Sequence, residues 1–104
     1  MSTNSHPLSA LGDGTRRQVF ELLRDGPKSV GELAAELPVS RPAVSQHLRV
    51  LEEARLVSHR ARGTRNVYEL DPEGVAVLRD WVDAFWSEAL TRFKAVAEAK
   101  GESG

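Results

Sequence analysis

Residues 38–55 read Pro-Val-Ser-Arg-Pro-Ala-Val-Ser-Gln-His-Leu-Arg-Val-Leu-Glu-Glu-Ala-Arg. This run constrains the chain more than any other because its two faces carry different chemistry. At about 100° per residue, Val44, Leu48 and Leu51 fall on one narrow side of a helix. Pro42, Ser45, Gln46 and Arg49 fall on the opposite side. The first side suits a core. The second suits the major groove of DNA, where Gln pairs with adenine, Arg with guanine and Ser with bases or phosphate. Arg41 joins these readers, Pro42 and Ala43 are placed for thymine methyls, and Ser40 for a phosphate. His47 flanks the buried stripe, with a DNA contact and a packing role equally open.

The preceding residues add a second helix. Ser29-Val-Gly-Glu32 is a capping box, in which the Ser hydroxyl accepts a first-turn amide and the Glu reaches back. The helix it opens carries Val30, Leu33, Ala34 and Leu37. Pro38 and Val39 make a turn, Ser40 caps the next helix, and Pro42 is tolerated in its first turn. Together these make a helix-turn-helix over about 30–54. By pattern alone, a plain helical hairpin in a small bundle stays open.

A basic hairpin follows over about 57–70. Leu56 to Arg62 and Arg65 to Leu70 alternate apolar and polar residues as strands do, and Gly63-Thr64 forms the tip. Arg60, Arg62, Thr64 and Arg65 crowd that tip. After a recognition helix such a hairpin is a wing, with its arginines over phosphates or in the minor groove. The competing reading is a solvated hairpin whose charges resist edge pairing.

The net charge of −1 conceals a strong partition. Residues 40–66 hold six Arg against two Glu, whereas residues 67–104 hold four basic and eight acidic side chains. Attraction to phosphate follows the local patch. The acidic C-terminal third is therefore expected to point away from the duplex.

The flanking segments read as helix. Residues 8–24 form two pieces: Leu8 and Leu11 mark the first, Asp13 caps the second, and Asp25-Gly26-Pro27 stops it. Asp71-Pro72-Glu73 opens a long helix over about 72–99. Its apolar positions cover roughly 180°, wider than the ~100° stripe one core needs. The expected consequence is a homodimer through the terminal helices, with Leu8, Leu11, Leu78, Trp81, Val82, Phe85, Trp86, Leu90 and Phe93 at the interface. A wide stripe wrapped on the protein's own core is the alternative. The first few residues and the tail from Gly101 are expected to fray.

These residues resemble a known family. Leu11-Gly-Asp-Gly-Thr-Arg-Arg-Gln-Val-Phe-Glu-Leu-Leu, Val30-Gly-Glu-Leu-Ala, Val39-Ser-Arg-Pro-Ala-Val-Ser-Gln-His-Leu-Arg-Val-Leu and Gly63-Thr-Arg-Asn-Val-Tyr-Glu-Leu are similar to the ArsR (arsenic-repressor-like) winged-helix regulators. The likeness covers roughly residues 8–96. It implies a homodimeric bacterial repressor whose terminal helices pair and whose inducer releases the operator. The chain departs from the metal-sensing members. Ala34 and Glu36 stand where those carry Cys-x-Cys, and the long helix has Asp80, Asp83 and Glu88 but no His. Carboxylates alone make poor zinc sites. The likeness is therefore to the metal-independent branch.

The expected fold is mainly α with a small β-hairpin (α+β), in the order α-α-α-α-β-β-α, as one domain over 1–104. With no cysteine, thiolate sites and disulfides are excluded. His59 reads as solvated and His6 as part of a mobile tail, with no spacing for a three-His metal site. No cofactor, metal or catalytic residue is expected, and an enzyme is disfavoured. The expected partners are double-stranded DNA, a second copy of the chain and an unidentified small-molecule inducer, with no membrane. The opening residues have neither the charged nor the apolar region of a signal peptide, so the expected location is the cytoplasm. Two alternatives remain: a winged helix that binds protein, and a regulator sensing an apolar ligand where Trp81, Phe85, Trp86 and Phe93 meet at the dimer interface.

Overall fold

The computed structural model describes residues 6–102. The chain begins with α1 (Pro7–Ala10) and α2 (Gly14–Leu22), the latter ending in a tight 3₁₀ turn. Then come β1 (Lys28–Ser29), α3 (Val30–Glu36), α4 (Arg41–Glu53), β2 (Val57–Arg62), β3 (Arg65–Leu70) and α5 (Pro72–Glu102). The strands form one antiparallel sheet in the order β1-β3-β2. The fold is the winged helix-turn-helix expected, with one strand more.

That extra strand corrects the expected order. Lys28 and Ser29 pair with Tyr68 and Val67. A two-residue strand has no periodicity to read, and its partners lie about forty residues away. Its role is to tie the start of α3 to the wing.

Local chemistry explains the helix boundaries. The Asp13 side chain accepts from the Arg16 N–H at 2.9 Å. Both halves of the capping box form: the Ser29 N–H donates to Glu32 Oε1 at 2.8 Å, and the Glu32 N–H to Ser29 Oγ at 3.2 Å. Ser40 Oγ accepts from Ala43 at 3.3 Å, and Asp71 accepts from the Glu73 N–H at 3.0 Å. His6 proves to be a cap as well, since its Nδ1 accepts from the Leu8 N–H at 3.0 Å. It is therefore not tail, although imidazole is an uncommon capping group. The expected fraying of the first few residues concerns 1–5, outside the described residues, and the same holds for Ser103 and Gly104. Gly101, expected to fray, lies inside α5.

The core sits where the trihelical unit meets the base of the wing. Val19, Leu23, Leu33, Val44, Leu48, Leu51, Leu56 and Val57 are buried. Each such side chain contributes about 1.5–3 kcal/mol by leaving water. α4 ends in a Schellman motif, with the Leu56 N–H bonded to the Leu51 carbonyl and the Arg55 N–H to the Glu52 carbonyl, both at 3.0 Å. Arg55 occupies the left-handed position at φ 62°, where glycine is usual.

α5 begins against this joint. A Cβ at Gly74 would stand 1.9 Å from the Arg55 carbonyl oxygen, so only glycine lets the two backbones meet. Val75 and Leu78 pack on the core. Beyond them the helix leaves the body. The molecule measures 67 × 27 × 27 Å with a radius of gyration of 18.4 Å, against about 13 Å for a rounded domain of this length.

Candidate nucleic-acid interface

The interface is built outward from α4. Val44, Leu48 and Leu51 are buried, which fixes the rotation of the helix about its axis. Pro42, Ser45, Gln46 and Arg49 then face out together and line one shallow recess. Arg49 Nη2 donates to Gln46 Oε1 at 3.4 Å, a long bond that leaves both groups available to base edges. Ala43 and His47 are half-buried at the margin. His47 Nδ1 is buried without a hydrogen-bond partner, so that atom faces the protein.

The wing stands beside this face. Arg62 and Arg65 are paired directly across the hairpin. Gly63 has φ 62° while Thr64 does not have positive φ, the pattern of a type II′ tip. Two guanidinium groups directly opposite disfavour the hairpin, and neither forms a salt bridge among the described residues. Arg60 differs, since its Nη1 lies 3.6 Å from Glu69 Oε1. The tip thus leaves Arg62 and Arg65 without an ion pair among the described residues, with Arg60 partly neutralised behind them.

Sequence reasoning missed the tie that holds the wing to the recognition helix. His59, read as solvated, bonds through Nδ1 to Glu52 Oε2 at 2.5 Å. Its ring also lies 5.2 Å from that of Tyr68, and burial raises the Tyr68 phenol above its usual value. This joins the last turn of α4 to β2 and β3. The signal was weak: a Glu and a His seven residues apart carry no periodic meaning until a strand follows the helix. Arg16 is likewise structural, donating through Nη1 to the Ala10 carbonyl at 3.2 Å.

Hydrogen bonding also settles two carboxylates. Asp13 is held below the ordinary carboxylate range, chiefly by the Arg16 N–H. Glu32 is lowered by the Ser29 N–H and hydroxyl. Neither is a candidate acid or base. Among the described residues, no group of three or more His, Cys, Asp or Glu side chains is placed to hold a metal. No described helix is long and apolar enough to cross a membrane.

Known proteins share this arrangement. The profile of the family described as "Bacterial regulatory protein, arsR family" matches residues 13–59. The HTH-type transcriptional regulator Rv2034 of Mycobacterium tuberculosis is 55% identical over 105 residues, covering 98% of each chain. The chain belongs to the ArsR family. The transcriptional repressor SdpR of Bacillus subtilis is 32% identical over 74 residues, 71% of this chain and 79% of that protein. A crystal structure described as a possible transcriptional regulator for arsenical resistance superimposes with a TM-score of 0.74 at 47% identity, over 86% of this chain and 93% of the other. As an ArsR-family member the chain is a DNA-binding transcriptional regulator and not an enzyme.

The expected dimer residues divide. Leu11 and Leu78 pack partly against the chain's own core, and Val82 is half-buried. Leu8, Trp81, Phe85, Trp86, Leu90 and Phe93 are exposed, Leu90 at 59% and Phe93 at 65%. Trp81 and Phe85 stack with ring centroids 5.5 Å apart. Most of the apolar width of α5 therefore has no cover in a single chain.

Proposed function

We propose that this regulator is a homodimeric repressor that binds an inverted-repeat operator in the cytoplasm. α4 enters the major groove with Pro42, Ala43, Ser45, Gln46, His47 and Arg49 toward the bases, and Ser40 at a phosphate. The wing sets Arg60, Arg62, Thr64 and Arg65 on the backbone or in the minor groove. The observation that carries this reading is the shared outward face of Ser45, Gln46 and Arg49 opposite a fully buried stripe, beside a wing tip of unpaired arginines. The named repressor among its relatives supports repression.

The second copy is argued from surface. The chain exposes 7257 Å², whereas a compact 11.4 kDa monomer exposes about 5,800 Å². The excess of about 1,500 Å² exceeds the ~800 Å² each partner buries in a standard interface. Large exposed apolar patches mark interaction sites. Pairing α5 and α1 with their copies covers this patch and sets two recognition helices about 34–36 Å apart.

Two alternatives find less support. A protein-binding winged helix needs large apolar residues on the outer side of α4, which instead carries Ser, Gln and Arg. An apolar effector needs roughly 300–1,000 Å³, and the recess at Trp81 and Phe85 measures about 240 Å³ in one chain. An inducer site there requires the partner subunit.

Selection of genomic fragments on the purified protein at about 150 mM salt, where nonspecific phosphate binding is weak, tests the proposal. The expected product is one inverted repeat with half-sites a helical turn apart. Enrichment of no sequence would favour the protein-binding alternative.

A further inference from the structure

Arg41 was expected among the base readers, but the structure sets it elsewhere. The outward recess of α4 contains Pro42, Ser45, Gln46 and Arg49 without it. The Arg41 guanidinium instead lies against the first turn of α3, where a Cβ at Gly31 would stand 3.2 Å from Nη2. There it lines a second cleft, of about 470 Å³, together with Gly31, Glu32, Arg65 and Asn66. One wall is the start of α3 and α4, and the other is the start of β3. Neither Arg41 nor Arg65 forms a salt bridge among the described residues. The one acid in the cleft, Glu32, accepts from the Ser29 N–H and is held ionised chiefly by that bond and in smaller part by the charge of Arg65, so the two guanidinium groups exceed it by one charge.

The cleft lies between the two parts of the DNA face. A duplex that offers its major groove to α4 and its minor groove to the wing must pass the strand dividing those grooves between them. Two guanidinium forks and a carboxamide suit a phosphodiester, because the planar forks bind its oxygens bidentately. We infer that Arg41, Arg65 and Asn66 close on one DNA phosphate of that dividing strand, so that Arg41 holds the backbone and does not read bases. This rests on the DNA face proposed above. It adds a site on that face that couples the recognition helix to the wing through a single phosphate.

The test pairs protein variants with a chemically altered duplex. Arg41→Gln, Arg65→Gln and Asn66→Asp, with Asn66→Ala as the neutral control, are measured on the selected operator and on operators with a neutral methylphosphonate at each successive position. Circular dichroism checks that each variant is folded. Loss of both arginines is expected to lower the slope of log K against log salt by about 0.9 per half-site, loss of either one by less, and each leaves the ranking of operator sequences unchanged. At one methylphosphonate position per half-site, neither Arg variant loses further affinity. Asn66→Asp loses more than Asn66→Ala on the natural duplex, and the two are equal at that position.

A changed base preference in Arg41→Gln overturns the inference, as does coupling of Arg41 and Arg65 to different phosphates. So does saturation by inorganic phosphate below millimolar in the absence of DNA, which would make the cleft a free-anion site. Failure of the wild-type protein to bind any duplex overturns the DNA reading itself, and that outcome is distinct from normal binding by all three variants.

Discussion

At the residue scale, the caps and the outward side chains carry separable roles. Ser29 is buried, and its hydroxyl satisfies the Glu32 amide at 3.2 Å. Ser29→Ala is expected to cost about 1 kcal/mol, measured by urea unfolding. Glu32 and Asp13 have lowered pKa values because backbone N–H groups favour their charged forms. Groups depressed in the folded state stabilise it above their unfolded pKa. That contribution is lost as pH falls through the folded values, so the unfolding midpoint should drop below about pH 4. In Glu32→Gln the drop should be shallower. On the DNA face, Gln46→Ala is expected to relax preference at one or two base pairs, and Arg62→Ala to weaken all sequences and flatten the salt slope. Equal losses for Gln46→Ala on every operator variant would remove Gln46 from the readers. The caps and the outward set on α4 were legible in the sequence because caps and helix faces are local chemistry. His6 and His59 were not, because their partners are decided by where the chain turns.

At the element scale, the joint between α4 and α5 governs how the recognition helix is carried. Arg55 sits in a left-handed conformation that costs a side-chain-bearing residue roughly 1–2 kcal/mol. Its ion pair with Glu73, at 3.5 Å and largely exposed, returns little. Arg55→Gly should therefore raise stability by up to about 1 kcal/mol by thermal unfolding. Gly74→Ala should do the reverse, losing about 1–3 kcal/mol, because its Cβ has no room beside the Arg55 carbonyl. Neither feature was legible in the sequence. Nothing local marks Arg55 as left-handed, and Gly74 reads as an ordinary weak spot in a helix. β1 escaped for the same reason, since its pairing with Tyr68 and Val67 is wholly tertiary. The longer elements were legible because apolar spacing reports the direction of the core over several turns.

At the scale of the whole molecule, the surfaces proposed for DNA and for a second copy belong to different elements. The arginines stand on α4 and the wing, the bare apolar face stands on α5, and the molecule extends over 67 Å. Leu90→Glu with Phe93→Glu is expected to yield a folded monomer by sedimentation, since both side chains are more exposed than buried in one copy. Operator affinity should fall with it, whereas weak nonspecific binding by the intact arginine face persists. An unchanged dimer would move the interface elsewhere. The width of the α5 stripe made this surface legible in the sequence, although the share taken by the chain's own core was not. The cationic side chains of α4 and the wing are all arginine, while the three lysines lie at Lys28, Lys94 and Lys100. Lysine acetylation, a common chemical means of loosening a protein from DNA by erasing charge, finds no target on α4 or the wing hairpin. Guanidinium groups also stay protonated at any pH a cell reaches. In the proposed complex the grip on phosphate is thus fixed in charge, and control of DNA binding falls to the placement of the two reading heads.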